Sequence, residues 1–308
     1  EGLAAGSIAA GGTLGILIPP SVILIIFGIM TESDIGLLFI AGILPGLLGV
    51  ILYLVAVLVT VTLKPEKGPR GDRFGWPQRL QALWGVSGVL ALFGLVIGGI
   101  YGGIFTPTEA AGIGASGAFF IALIRQRLSW QSLFETLVES ARTTAMIFVI
   151  LIGAEIFSNY VNIAGLPELL SGWVVSFDLS AIAVIMLIML VYVVLGTVLE
   201  SLSMIMLTVP VFYPLVLGLD LGGYSEALMD PELALIWFGI IVVVITEISL
   251  ITPPVGLNVF VLKSMLDDVK LSTIFRGVTP FWIVDIVRLM TLILLPGLVL
   301  WLPNLMAG

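Results

Sequence analysis

Apolar runs near the length of a membrane crossing recur along this chain, at residues 36–63, 81–104, 109–124, 143–159, 179–195, 232–251 and 280–302. A helix needs about 20 predominantly apolar residues to cross a bilayer, and in lipid every backbone N–H and C=O must be paired within the protein. Only helical bundles and closed β-barrels meet both demands. A barrel would show short segments alternating at every second residue, and this sequence has none. Hydrophobic residues make up 59% of the 308 and charged residues only 10%, against about 25% charged in a soluble domain. The reading is an all-α polytopic membrane protein.

One run contains its own interruption. GGTLGILIPPSVILIIFG, residues 11–28, is apolar throughout, yet Pro19 and Pro20 stand side by side at its centre. A proline removes a backbone donor and clashes with the preceding turn, at a cost of about 3 kcal/mol in a helix interior. The residue before a proline is also driven out of the α region, so the helix breaks near Ile18. EISLITPPVGLNVFVLKSM, residues 247–265, repeats the device at Pro253 and Pro254.

The loop charges orient the two breaks. Lys64, Lys67, Arg70, Arg73 and Arg79 crowd the Gly/Pro-rich loop 64–80, and the positive-inside rule places it in the cytoplasm. Arg125 and Arg127 mark a second cytoplasmic turn, and Lys263, Lys270 and Arg276 a third. TESD at 31–34 and the stretch 220–232 carry acids and no base, and fall on the periplasmic side. Leu128, Leu133, Leu137 and Ala141 recur at helical spacing among polar residues, which predicts a surface-lying helix over 128–142. Threading these marks, 5–30 runs outward, 36–63 inward, 81–104 outward, 109–124 inward, 143–159 outward, 232–265 inward and 280–302 outward. By parity 179–217 is either two crossings or one crossing offset by a hairpin, and GTVLESLSMIMLTVP, residues 196–210, is too polar to face lipid, which favours a re-entrant hairpin. It enters and leaves on the periplasmic side, with its tip expected near 252–258.

Two broken helices of opposite direction are the trace of an inverted-topology repeat, and paired interruptions point to a transporter's binding site. A break frees carbonyls on the half that ends, which suit a small hard cation such as sodium. It frees amides on the half that begins, where the partial positive charge suits a carboxylate. Gly11, Gly12, Gly15 and Gly256 permit close approach, while Thr13, Ser21, Thr252 and Asn258 add side-chain oxygens. The chain has no cysteine and no histidine, so thiolate chemistry, disulfides and a histidine base are excluded. No GxxxxGK[ST] run is present for ATP-driven transport. The polar residues gather in two patches, unlike a continuous channel lining, and no nucleophile or carboxylate constellation marks an intramembrane enzyme. No enzymatic activity and no nucleic-acid partner are expected.

Charged residues within apolar runs are costly and need roles. Glu200 is assigned to the hairpin, as site architecture or as a cap. Glu247 is placed to support backbone freed by the second break, and Asp285 and Arg288 are spaced i, i+3 to pair on one helix face. Glu155 faces a polar interface, and Glu109 follows Thr106 and Thr108 as a helix start. Trp76, Trp84, Trp282 and Trp301 are read as interface anchors.

AAGGTLGILIPPSVILIIFGIMTESDIGLLFIAGILPGLL, GIYGGIFTPTEAAG, the 196–214 stretch and LITPPVGLNVFV together resemble the large membrane subunit of tripartite ATP-independent periplasmic (TRAP) transporters, over residues 5–303. The resemblance implies an elevator-type, inverted-repeat secondary transporter of the bacterial inner membrane that takes up an organic acid, such as a dicarboxylate, with sodium as the coupling ion. It implies a small membrane subunit and a periplasmic substrate-binding protein as partners; a stand-alone organic-anion transporter or channel is the alternative. The family's serine-rich first hairpin lies upstream of the first broken helix, so the chain reads as N-terminally truncated, starting in mid-protein.

Carried over, the resemblance puts Gly11, Gly12, Thr13, Gly15, Pro19, Pro20 and Ser21 at the first broken helix. It puts Gly196, Thr197, Glu200, Ser201, Ser203 and Thr208 in the second hairpin, and Thr252, Pro253, Pro254, Gly256 and Asn258 at the second broken helix. Thr252, Gly256, Gly196 and Thr197 are the expected sodium-holding positions, and no other cofactor is implied. The implied division assigns 1–30 and 179–265 to a transport domain, 31–178 to scaffold and connecting helices, and 266–308 to a C-terminal scaffold helix.

Overall fold

The computed structural model describes residues 1–69, 71, 75–266 and 268–307; Arg70 and Arg73 of the basic loop lie outside the described residues. The described elements are helices: α1 Gly2–Leu17, α2 Val22–Thr31, α3 Ile35–Leu63, α4 Trp76–Tyr101, α5 Pro107–Ile124, α6 Trp130–Ile163, α7 Leu166–Ser176, α8 Ala181–Gly196, α9 Ser201–Leu217, α10 Pro231–Ser249, α11 Leu257–Met265, α12 Leu271–Leu294 and α13 Gly297–Ala307, with 3-10 turns at Pro65–Lys67 and Glu226–Met229. Among the described residues, seven stretches are long and apolar enough to cross a membrane, one of them the interrupted pair Gly2–Thr31. The chain divides into two compact units, Glu1–Pro69 with Gly153–Gly308, and Arg70–Ile152.

In the first unit α10 is the axis. Every residue from Ala234 to Ser249 is buried, so this helix is apolar on all sides because protein surrounds it on all sides. It packs against α1, α2, α3, α8, α9, α12 and α13. Lipid gives helices little hydrophobic reason to associate, so close backbone approach at small residues carries the packing. A Cβ on Gly6 of α1 would lie 2.2 Å from the Gly277 carbonyl oxygen of α12, and one on Gly277 would lie 1.7 Å from the Gly2 carbonyl oxygen. On α3, a Cβ at Gly42 would lie 2.9 Å from the carbonyl oxygen of Leu17, so α3 runs directly alongside the end of α1.

In the second unit α4 packs on α5, and Arg125 reaches back from the end of α5 to donate to the Gly85 carbonyl at 3.0 Å. The expected helix start at Glu109 is a capping box with Thr106. The Glu109 N–H donates to Thr106 Oγ1 at 3.3 Å, and the Thr106 N–H to Glu109 Oε2 at 2.9 Å.

Three sequence expectations change. Residues 130–142 are not a separate surface helix, because α6 runs unbroken for 34 residues from Trp130 to Ile163. Neither Gly nor Pro falls between 128 and 152, so nothing interrupts the turns that carry the amphipathic pattern. The run 280–302 is not one span: α12 begins at Leu271 and ends at Leu294, and α13 starts at Gly297 beyond Pro296, which has no N–H to extend the helix. Residues 196–210 do not themselves form the hairpin. The hairpin is larger: α8 and α9 are its arms, 16 and 17 residues long, with the turn at 197–200. Arms of that length reach about 24–26 Å, short of the roughly 30 Å hydrocarbon core.

Candidate functional site

Both Pro-Pro pairs interrupt helices, and both Pro-Pro bonds are cis. At the first, α1 ends at Leu17, Ile18 is extended (φ −71°, ψ 121°), and α2 begins at Val22. Pro20 cannot donate to the Ile16 carbonyl four residues back, and the Ser21 hydroxyl takes that carbonyl instead. Ser21 Oγ also accepts from the Leu24 N–H at 3.3 Å, capping α2. One side chain therefore closes both ends of the break. Thr13 is fully buried, with its hydroxyl on the Ala10 carbonyl at 2.8 Å. Gly11, Gly12 and Gly15 are exposed on α1, where an added Cβ would meet nothing within 4 Å.

At the second break α10 ends at Ser249 and α11 begins at Leu257. The carbonyls that Pro253 and Pro254 leave unpaired find other donors. Ser249 accepts from the Thr252 N–H at 3.1 Å, and Leu250 from the Asn258 N–H at 3.1 Å. Gly256 turns the chain into α11 at φ 58°, a left-handed value that suits glycine. The Thr252 hydroxyl donates to the Ile248 carbonyl at 2.6 Å and accepts from Trp282 Nε1 at 2.9 Å. Trp282 is therefore not simply an interface anchor. It lines a cavity of about 240 Å³ beside the break with Ile251, Pro253, Phe275, Val278 and Thr279. Trp76, Trp84 and Trp301 are exposed.

At the hairpin turn Gly196 is packed tightly against the end of α10, where an added Cβ would lie 2.1 Å from Ser249 Oγ. The hairpin thus meets the second broken helix just before its break. Glu200 is the N-cap of α9, accepting from the Leu202 N–H at 3.0 Å and the Ser203 N–H at 3.2 Å. The Thr197 hydroxyl donates to the Val194 carbonyl at 2.8 Å, and Ser201 is buried. Thr208 lies further along α9, between the arms, with its hydroxyl 2.6 Å from Tyr192 Oη and donating to the Met204 carbonyl at 2.7 Å. The Asn258 side chain bonds to α1, where its Nδ2 donates to the Ala9 carbonyl at 3.4 Å.

Residues the sequence did not single out tie these parts together. Tyr192 pairs the hairpin arms, and Ser249 seats the turn. Tyr53 donates to Asp285 across α3 and α12. Asp285 and Arg288 form the expected pair at 3.2 Å, but Arg288 also donates to Glu247, which joins α12 to α10. Glu247 faces the backbone of Leu17, the last residue of α1. Its one hydrogen bond among the described residues goes to Arg288, so it braces α10 against α12 and makes no hydrogen bond to backbone freed by the second break. Glu155 is exposed on α6 and accepts from Asn159 Nδ2 at 3.3 Å.

The first unit therefore carries two broken helices, a short-armed helical hairpin seated on one of them, and the membrane-length helices α3 and α12 packed against both. The profile described as "Tripartite ATP-independent periplasmic transporter, DctM component" matches residues 1–298. The chain belongs to this family of TRAP large permease subunits. It is 36% identical over 307 residues to the C4-dicarboxylate TRAP transporter large permease protein DctM of Pseudomonas aeruginosa, covering 99% of this chain and 68% of that one. It is 31% identical to the sialic acid TRAP transporter large permease protein SiaM of Vibrio cholerae, with 100% and 69% covered. It is 32% identical to the 2,3-diketo-L-gulonate TRAP transporter large permease protein YiaN of Escherichia coli, with 96% and 67% covered. This permease is a multi-pass protein of the bacterial inner membrane and a transporter subunit, not an enzyme.

Proposed function

We propose that this permease imports an organic acid coupled to sodium, working with a small membrane subunit and a periplasmic substrate-binding protein. The substrate class follows from the relatives, whose names specify a C4-dicarboxylate, sialic acid and 2,3-diketo-L-gulonate, acids in each case. The observation that carries the coupling is the seating of Gly196 on Ser249, one turn before Thr252. It brings the hairpin turn to one of the two segments where non-helical backbone lies at buried depth. Such backbone is tolerated in a membrane where it is buried in protein or lines a hydrated cavity. The carbonyls of Ser249 and Leu250 are already occupied, so the oxygens offered to sodium are those of residues 251–255, with the remaining lone pair of Thr252 Oγ1. Gly196, Thr197 and Gly256 border that segment. The first break, with Ser21 at its centre, supplies the second half of an inverted-repeat site, and both breaks travel with the hairpin as one moving body.

Uptake into proteoliposomes holding the intact permease and its small subunit tests this. Uptake of a radiolabelled C4-dicarboxylate, the probe chosen from the relatives, requires an inward sodium gradient and the periplasmic protein encoded with the permease. Sodium-independent uptake contradicts the coupling, and equal uptake without the periplasmic protein makes the permease a stand-alone carrier.

A further inference from the structure

The most expensive feature of the first unit lies apart from both Pro-Pro segments. Glu247 on α10 and Asp285 and Arg288 on α12 all have zero exposure, and Tyr53 on α3 is buried beside them. Arg288 Nη2 donates to Glu247 Oε2 and lies 3.2 Å from Asp285 Oδ1, while Tyr53 Oη donates to Asp285 Oδ2. From the elements packed on α10, the charged or titratable groups that face Glu247 are Arg288 and Asp285 and, through Asp285, Tyr53. Helices α1, α2 and α13 carry no ionisable side chain.

The charges do not balance. Two carboxylates share one guanidinium, so the cluster with both ionised buries one uncompensated negative charge. Moving a lone ion out of water costs several kcal/mol even after the protein relaxes. The two carboxylates are also served unequally. Each leaves one oxygen without a hydrogen bond among the described residues, Glu247 Oε1 and Asp285 Oδ1, but Oδ1 still lies 3.2 Å from Arg288 Nη2 and its partner oxygen holds Tyr53, whereas Oε1 has neither a hydrogen bond nor an ion-pair contact.

A metal cation does not fit this gap. Sodium needs several oxygens, and the unpartnered atoms here include two guanidinium nitrogens, Arg288 Nε and Nη1, which repel a cation. No group of three metal-ligating side chains occurs among the described residues. A proton needs one oxygen and restores neutrality.

We propose that Glu247 is a proton-binding site, holding one exchangeable proton on Oε1 beside an ionised Arg288–Asp285 pair. The proton comes from bulk water when the cluster is open to it and returns there; no other bond is made or broken. An ionisable group buried in a transporter bundle is a functional position by default. This one joins α10 to α12 and faces the end of α1, so its proton occupancy bears on how the two broken helices are held together. The inference does not depend on sodium coupling.

Infrared spectroscopy of the purified, intact permease near neutral pH tests it. The wild type is expected to show a carboxylic-acid C=O band that Glu247→Gln abolishes and Glu139→Gln, at an exposed position of α6, retains. Asp285→Asn removes the charge imbalance, so Glu247 then ionises against Arg288 and the band is lost there too. Melting temperature gives a second readout: it falls as pH rises in the wild type and is flat in Glu247→Gln. Absence of the band in the wild type, its persistence in Glu247→Gln, or its persistence in Asp285→Asn overturns the assignment. Should Glu247→Gln not fold, Glu247→Asp takes its place: the band is expected to shift in frequency, and an unshifted band places the proton on another residue and overturns the assignment.

Discussion

Gly196→Ala probes the seating of the hairpin directly. The added Cβ would lie 2.1 Å from Ser249 Oγ and 2.4 Å from Ser249 Cβ, where ordinary contact begins at 3.4 Å. Rotating the serine relieves only the first clash. The Cβ is fixed to α10, the fully buried axis of the unit, so the hairpin turn must yield by the difference between 2.4 and 3.4 Å, about 1 Å. Overpacking of this kind costs about 1–3 kcal/mol, and the better helix propensity of alanine returns up to about 1 kcal/mol of it. The melting temperature should therefore drop modestly. Transport should suffer more, with uptake falling on the order of tenfold, because positioned groups tolerate little displacement. Ser249→Ala leaves the Cβ in place and should rescue little, whereas Ser249→Gly should restore uptake in the Gly196→Ala background. The assays are intrinsic tryptophan fluorescence on heating and sodium-driven uptake in proteoliposomes. Wild-type behaviour of Gly196→Ala in both would refute the packing argument.

Two further outcomes are expected. Ser21→Ala removes both the cap of α2 and the donor to the Ile16 carbonyl, and should lower stability by about 0.5–2 kcal/mol; an unchanged melting temperature would show that water replaces the hydroxyl without loss. Tyr192→Phe deletes the hydroxyl paired with Thr208 at 2.6 Å between the hairpin arms, a loss of about 1 kcal/mol. It should speed hydrogen exchange in α8 and α9, while equal exchange rates would deny that this pair closes the hairpin.

What the sequence made legible was local. Both breaks follow from proline chemistry within four residues, the Thr106–Glu109 box from a spacing of three, and the Asp285–Arg288 pair from one helical turn. What it hid was pairing between distant segments. Gly196 and Ser249 meet only because α8 crosses α10, and nothing near Gly196 announces Ser249. Trp282 carries the general signature of an interface tryptophan, and its bond to Thr252 depends on how α12 lies against the second break. Glu247 sits 41 residues from Arg288, so the third member of the charge cluster had no periodicity to betray it. The hairpin turn was placed too late because polarity continues into α9 through Ser203 and Thr208, both satisfied within the hairpin.

Sodium binding at the second break is tested by comparing two substitutions on one hydrogen bond. Thr252→Val keeps the side-chain shape and removes the hydroxyl; Trp282→Phe removes only the N–H that the hydroxyl accepts. If Thr252 Oγ1 is a sodium ligand, its loss costs about 1–3 kcal/mol, and the half-saturating sodium concentration for uptake rises about tenfold or more. Trp282→Phe leaves the oxygen in place, so its half-saturating concentration should stay near the wild-type value. Equal shifts in the two variants, or none in Thr252→Val at normal expression, would make Thr252 a brace for the broken helix and contradict the sodium assignment.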